Sequence, residues 1–418
     1  MFPPRRLPLV LFLPLLLLHP RIGRAQELSG LVQTDYQRSQ ESDDELNPGT
    51  GDPENRDRFL VRRARLRAER TWSFADATVE GDFNTVAGPG VGLRHVEAAV
   101  RWTGPKTSWS PSVPPLLRLG AGMFRAPFSY EVAEQRDAER LFAERALMAQ
   151  AFFPGEYDVG AQASASLDWL RVVLAIQNGE PIASRAFPTS DPNAAKDILG
   201  RVAARTRVAG VRIEAGFATV WGKGFHPGTQ PTEDTFVWRD ANEDGIVQLG
   251  EIQAVPGASG TPSENFDRWG FEGDLRAGVR IPRLGELLIF VEGALASNLD
   301  RGVRPADPVF LGRDQRAIGV YAGFVQEIGR RFLVGFRFDT YRPELDRTEL
   351  QGGELVRSEE RFDTYTGAVA LRFGLADGVP GRALIDYTAR RDPLGRDAAG
   401  RPADLRNDLL TARLQLEF

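Results

Sequence analysis

The chain has 418 residues, 42% of them hydrophobic, with a mean hydropathy of −0.29, a formal net charge of −5 and no cysteine. The missing cysteines exclude a disulfide framework and cysteine-ligated metals, and the acidic balance leaves no electrostatic footprint for nucleic acid. This hydropathy fits a soluble protein, but it fits a closed membrane barrel equally, because only every second strand residue of a barrel meets lipid.

The first residues read as a targeting segment. Arg5 and Arg6 precede an apolar run from Leu7 to Leu18 that only prolines interrupt, and Gly23-Arg24-Ala25 has the small-x-small pattern of a cleavage site. The run is short for a bilayer span, so residues 1–25 are expected to be a signal peptide, with the mature chain starting at Gln26. Its removal takes four arginines and leaves 48 basic against 57 acidic residues, a net charge of −9. Lys106, Lys196 and Lys223 are the chain's three lysines, so nearly every positive charge is an arginine.

No apolar stretch of spanning length follows residue 25, so a mature membrane protein would have to be a barrel. Its signature is a period of two over about ten residues, repeated many times. The pattern is plain in 268–280, where Trp269, Phe271, Leu275, Ala277 and Val279 alternate with Arg268, Glu272, Asp274, Arg276 and Arg280. It recurs in 332–341 and 383–390, and in 408–418, where Leu410, Ala412, Leu414, Leu416 and Phe418 share a face. Strands are expected at 28–38, 58–70, 74–84, 92–103, 116–125, 157–167, 170–179, 197–207, 210–223, 267–280, 286–299, 315–328, 331–343, 359–374, 381–392 and 408–418. The connections then alternate. Long ones at 39–57, 85–91, 126–156, 180–196, 224–266, 300–314, 344–358 and 393–407 face mostly tight turns on the other side, which is the outside–inside asymmetry of outer-membrane barrels. The expected fold is therefore all-β, a transmembrane antiparallel β-barrel of about sixteen strands over 26–418. A soluble sandwich or propeller is the competing reading; the strand length and the apolar face on nearly every strand argue against it.

A family resemblance runs along the mature chain. It is carried by Phe59–Leu66 (FLVRRARL), Gly122–Phe128 (GMFRAPF), Leu141–Arg145 (LFAER), Ala151–Gly155 (AFFPG) with Asp158–Gly160 (DVG), and Gln177–Gly179 (QNG). Phe418, with apolar residues two and four before it, looks like the assembly signal of outer-membrane barrels. In these motifs the chain resembles the bacterial phosphate-selective porins O and P. That resemblance implies a sixteen-stranded barrel in the bacterial outer membrane, a homotrimer, and a third extracellular loop folded into the lumen. Segment 126–156 would be that constriction loop, bringing Arg136, Arg140 and Arg145 beside Glu131, Glu134, Asp137, Glu139 and Glu144. Mixed charges there would select solutes by charge and size, although the same spacings suit a short helix packed on the wall.

Selectivity is expected to depend on arginines. Arg63, Arg65 and Arg67 lie opposite Ala64, Leu66 and Ala68 in the second segment, and Arg201, Arg205 and Arg207 share a face of the eighth. Such ladders would replace an anion's hydration in steps. Asp76, Glu80 and Asp82 in the third segment, and Glu272 with Asp274 in the tenth, oppose them, and the entrance lysines of the phosphate-selective members have no counterpart. Arg62 interrupts the lipid face of the second segment, placing it near a rim or marking an irregular register.

The sharpest local motif is Asp240–Glu251 (DANEDGIVQLGE), which matches D-x-[DN]-x-[DN]-G-x5-E at each fixed position. Asp240, Asn242 and Asp244 would offer side-chain oxygens to calcium, Ile246 its carbonyl, Gln248 a direct or water-mediated contact and Glu251 two oxygens, while Gly245 permits the sharp turn. No flanking amphipathic helices are evident, so the expectation is a single structural calcium loop, EF-hand-like in sequence, in the extracellular connection 224–266; an acidic turn without metal is the alternative.

Three functions remain. The first is a porin for passive diffusion of small hydrophilic solutes, with an anion preference of the phosphate type. The second is a non-conducting structural or adhesin-like barrel with a calcium-stabilised surface loop. A barrel enzyme is the third and is not expected: the mature chain has only His95 and His226, and no GxSxG or HExxH.

Overall fold

The computed structural model describes residues 26–40, 57–86, 88, 90–105, 113–180, 191–351, 354–357, 360–374, 379–396 and 402–418. The expected signal peptide, 1–25, lies outside them, as does most of 39–57. Sixteen strands pair antiparallel in chain order and close on themselves. They are β1 Gln26–Ser39, β2 Arg58–Thr71, β3 Ala75–Asn84, β4 Gly90–Trp102, β5 Leu117–Arg125, β6 Tyr157–Ser166, β7 Leu170–Gln177 and β8 Asp197–Val208. The second half comprises β9 Val211–His226, β10 Glu264–Ile281, β11 Gly285–Ser297, β12 Arg316–Ile328, β13 Phe332–Arg342, β14 Phe362–Phe373, β15 Gly381–Arg391 and β16 Leu409–Glu417. Closure runs from Leu31↔Glu417 to Ser39↔Leu409. Every expected strand has its counterpart, with ends displaced by a few residues.

The alternation is inverted relative to a soluble protein. Leu174 and Phe217 are 59% and 53% exposed on the outside, while Gln33 and Asp35 are 0% and 2% exposed within. Apolar side chains outward and polar side chains inward are stable only when the surrounding medium is hydrocarbon. The tight turns also follow from local chemistry. At Val208-Ala209-Gly210-Val211 the two central residues have φ of 50° and 83°, the paired positive values of a two-residue hairpin turn whose twist matches the strands.

Two bulges disturb the ladder. Gln33 pairs with Arg63 but Thr34 pairs with Val61, so Arg62 is the extra residue. Glu80 pairs with His95 but Gly81 pairs with Leu93, leaving Arg94 over. An inserted residue re-aims its side chain, which explains how Arg62 interrupts an apolar face without meeting lipid: it reaches Glu144 of the third loop at 2.6 Å.

The third loop fills much of the tube. It holds two short helices, α1 Tyr130–Ala133 and α2 Leu147–Phe152. Its Phe128, Val132, Leu141, Phe142, Met148, Phe152 and Phe153 pack on Leu199, Val220, Phe290, Leu299, Tyr321 and Tyr341. Alanines lie among these wall residues, Ala218, Ala294, Ala296, Ala317 and Ala368, and leave room for the loop's aromatic rings. A Cβ on Gly319 would fall 2.7 Å from Met148 Cβ. Three two-stranded hairpins, which the periodicity does not reveal, decorate the long connections: Thr235–Trp238 with Ile252–Val255, Thr348–Gln351 with Glu354–Arg357, and Gly395–Arg396 with Pro402–Ala403. Among the described residues no helix is long and apolar enough to cross a membrane.

Candidate functional site

The loop is seated by one carboxylate. Asp137, about 1% exposed at its side chain, pairs with Arg65 and Arg140 and lies 3.4 Å from Arg63, 3.6 Å from Arg94 and 4.0 Å from Arg125. Burial alone would push the Asp137 carboxyl up; the guanidiniums of Arg63, Arg65, Arg140 and Arg94 outweigh it and hold the carboxyl well below its ordinary range. Glu144 obeys the same balance, burial against Arg62 and Arg63, and is held down at about 2. Backbone contacts continue around the wall. Arg382 donates to Ala138 O at 2.6 Å, Arg413 to Ala143 O at 3.1 Å, and Leu147 N to Asp339 at 3.3 Å. Within the loop, Ala146 N donates to Glu131 at 2.7 Å.

Below the Asp137 cluster, on the side of the tight turns, a cavity of about 1060 Å³ opens between the loop and strands β1–β7. Seven arginines and eight carboxylates line it, and they are interleaved. Arg118 bridges Asp76 at 2.6 Å and Glu97 at 2.8 Å, Arg67 holds Glu69 at 2.7 Å and Glu80 at 3.3 Å, and Arg171 meets Glu134 at 2.7 Å. Gln162 and Ser164 complete a polar wall.

Among the arginines expected to line a pore, Arg65, Arg67 and Arg136 border this cavity. Arg63 shares their face but lies buried above it, donating to Gln33 at 2.9 Å. Arg140 and Arg145 do not line it, and the expectation for them is corrected. Arg140 is consumed by Asp137, and Arg145 caps the Phe153 and Pro154 carbonyls at 3.0 and 2.8 Å while pairing with Glu156 at 3.3 Å. The Arg201, Arg205, Arg207 ladder also breaks up. Arg201 is buried between Glu272 at 3.1 Å and Asp274 at 2.7 Å. Arg205 binds the Asp168 carbonyl at 2.7 Å, and Arg207 is exposed near the turn where β8 ends. Arg201 and Arg205 border a separate cavity of about 300 Å³.

The loop Asp240–Glu251 is closed by the hairpin Thr235–Trp238 with Ile252–Val255. Gly245 has φ 70°, the left-handed turn that the motif needs at its sixth position. Asp240 accepts from Asp244 N at 3.2 Å and Gly245 N at 2.8 Å, Asn242 from Asp244 N at 3.0 Å, and Gln248 Nε2 donates to Asp244 at 2.8 Å. Glu251 instead accepts from Trp238 Nε1 at 3.0 Å and Ala241 N at 3.1 Å, and the Trp238 indole, ahead of those backbone amides, draws its carboxyl below the ordinary value. Among the described residues no three His, Cys, Asp or Glu side chains are grouped to hold a metal ion. The backbone therefore fits a calcium loop, whereas the three acids are not converged. Ile246 lies in the turn with its side chain exposed.

No family model matches the chain, and no curated protein matches it in sequence. Solved structures match its fold. Pseudomonas putida OprB superposes with a TM-score of 0.51 over 93% of this chain and 93% of that one, at 11% identity. The outer membrane channel DcaP of Acinetobacter baumannii gives 0.50 over 94% and 96%, at 9% identity. An anion-selective porin from Comamonas acidovorans gives 0.50 over 94% and 98%, at 9% identity. The fold is a closed sixteen-stranded β-barrel of porin architecture.

Several lumen residues escaped the sequence reading. Arg118 and Arg171 follow strand parity and were legible in principle. Arg94 was not, because a bulge cancels the parity that would reveal it.

Proposed function

We propose that this barrel is a passive diffusion channel of the bacterial outer membrane for small hydrophilic solutes. The observation that carries the reading is the polar cavity left between the wall and a third loop that is itself anchored inside the tube. Purified protein added to a planar bilayer should give stepwise current; a folded barrel that inserts without current would instead be the structural or adhesin-like alternative. Any anion preference of the kind the phosphate-selective resemblance implies would be carried by Arg65, Arg67 and Arg136, and the neighbouring carboxylates would keep it weak. The reversal potential in a salt gradient measures it. A homotrimer belongs to the same reading, and the mass of the detergent-solubilised particle tests it.

A second reading concerns the surface. The left-handed Gly245 and the hairpin closing the loop support calcium binding by Asp240, Asn242, Asp244, Ile246, Gln248 and Glu251. In that reading Glu251 leaves Trp238 to complete the ligand set, with an affinity in the weak range of extracellular modules, about 10⁻⁴–10⁻³ M.

A further inference from the structure

Buried arginines in this lumen are partnered, with one exception among the described residues. Arg276 on β10 is 7% exposed, yet its guanidinium makes no hydrogen bond or ion pair. It lies over the ring of Tyr130 at 3.7 Å and near that of Phe290 at 5.3 Å. Glu214 faces it across the ladder but turns to Arg212 at 3.6 Å. A buried guanidinium stacked on aromatic faces keeps its in-plane donors free.

Arg276 borders a cavity of about 220 Å³, distinct from the one beside β1–β7. One side of it is apolar, formed by Phe142, Leu288, Phe290 and Leu333. The other charged groups around it are engaged. Arg212 pairs with Glu286 at 2.7 Å and Arg372 with Glu327 at 2.8 Å at the half-exposed mouth, Arg337 meets Glu131 at 3.5 Å, and Glu139 meets Arg136 at 3.4 Å. A dry cavity of roughly 150 Å³ suffices for benzene, so this lobe has room for a single ring or a short chain with a charged end.

We propose that the lobe is a binding site for an organic monocarboxylate, with the carboxylate on Arg276 and the apolar body against Phe142, Leu288 and Phe290. Inorganic anions satisfy only the guanidinium and leave the apolar wall uncovered; an uncharged ring does the reverse. The site deepens the channel reading by naming a solute class, but occupancy itself does not require conduction.

The test is isothermal titration calorimetry of the whole detergent-solubilised barrel with benzoate, benzyl alcohol and inorganic phosphate. Benzoate should bind once per chain, at least tenfold more tightly than either comparison ligand, and Arg276→Gln should weaken it at least tenfold while Arg276→Lys retains part of the affinity. Should Arg276→Gln fail to give a heat-modifiable folded barrel, Leu288→Trp, which fills the lobe and leaves the guanidinium, must abolish benzoate binding. Benzoate that binds no better than phosphate, or equally well to either variant, overturns the site. Bilayer current without benzoate is recorded in parallel, so a failure of the channel reading and a failure of this site are seen separately.

Discussion

Replacing Asp137 by Asn keeps the shape of the side chain and removes the charge that five guanidiniums surround. The loss is unevenly shared. Arg65 retains Asp82 at 3.2 Å, Arg94 retains Glu156 at 2.6 Å, and Arg125 keeps the Gln135 carbonyl at 2.8 Å. Arg63 is left with Gln33, and Arg140 has no other ion pair among the described residues. Removing one partner of a buried pair costs about 3–5 kcal/mol. Taking the lower end, about 3 kcal/mol, because three of the five arginines are re-satisfied, the ratio of seated to released loop falls by about a hundredfold. The strand ladder and the apolar packing of Phe128, Met148 and Phe152 are untouched, so the barrel itself should stay heat-modifiable on a gel. What moves is the segment around Asp137 between the large cavity and the long-loop end of the barrel. Single-channel conductance and the size limit in liposome swelling should both rise, and Arg140→Gln should reproduce much of the effect without adding to it in the double variant. A folded Asp137→Asn barrel with wild-type conductance and the wild-type size limit would show that this carboxylate does not seat the loop.

Acid should act on the same latch. The folded-state pKa values of Asp137 and Glu144 are depressed, so their contribution is complete above the ordinary carboxylate range, near pH 4, and is lost as pH falls through the folded values. The part of the seating carried by Asp137 and Glu144 should be intact above about pH 4, and conductance should rise as pH falls from there toward about 2, the value for Glu144; a conductance unchanged between pH 4 and 2 would contradict this. Terbium bound in the surface loop should be sensitised by Trp238, whose indole lies against Glu251. That emission should be competed by calcium at about 10⁻⁴–10⁻³ M and lost in Asp240→Ala; its absence would leave an acidic turn without metal. Converting both Arg65 and Arg67 to Gln should move the reversal potential in a potassium chloride gradient toward the cation value, and an unchanged potential would remove them from the selectivity filter.

The strands were readable because their code is binary and their surroundings unambiguous. An apolar outer face against a largely polar lumen gives most of each strand a period of two. The surface hairpins carry no such contrast: Phe236, Val237 and Trp238 are all exposed, so nothing in their spacing marks a face. The roles of the loop arginines were hidden for a different reason. Arg136, Arg140 and Arg145 are alike in sequence, yet Arg136 faces the cavity, Arg140 serves Asp137 and Arg145 caps backbone carbonyls. Which of the three stays available is decided by where the loop enters the tube, a long-range fact absent from their spacing.

The two bulges join these observations. A regular strand can present only every second residue to the lumen, so β2 could offer the loop Arg63 or Arg62, not both, and β4 would have to turn Arg94 away from it. One inserted residue in each strand lifts that restriction. Arg62 then holds Glu144 and Arg94 holds Glu156, while Asp137 sits between Arg63, Arg65 and Arg94. Three carboxylates spread along the third loop are thus met by arginines from the same side of the barrel, and the apolar face of the loop is left to the alanine-rich wall opposite. Deleting Arg62 should restore a regular ladder and yet loosen the loop at Glu144. A loop that stays equally protease-resistant after that deletion would mean the bulge is a feature of strand geometry alone, with no part in seating it.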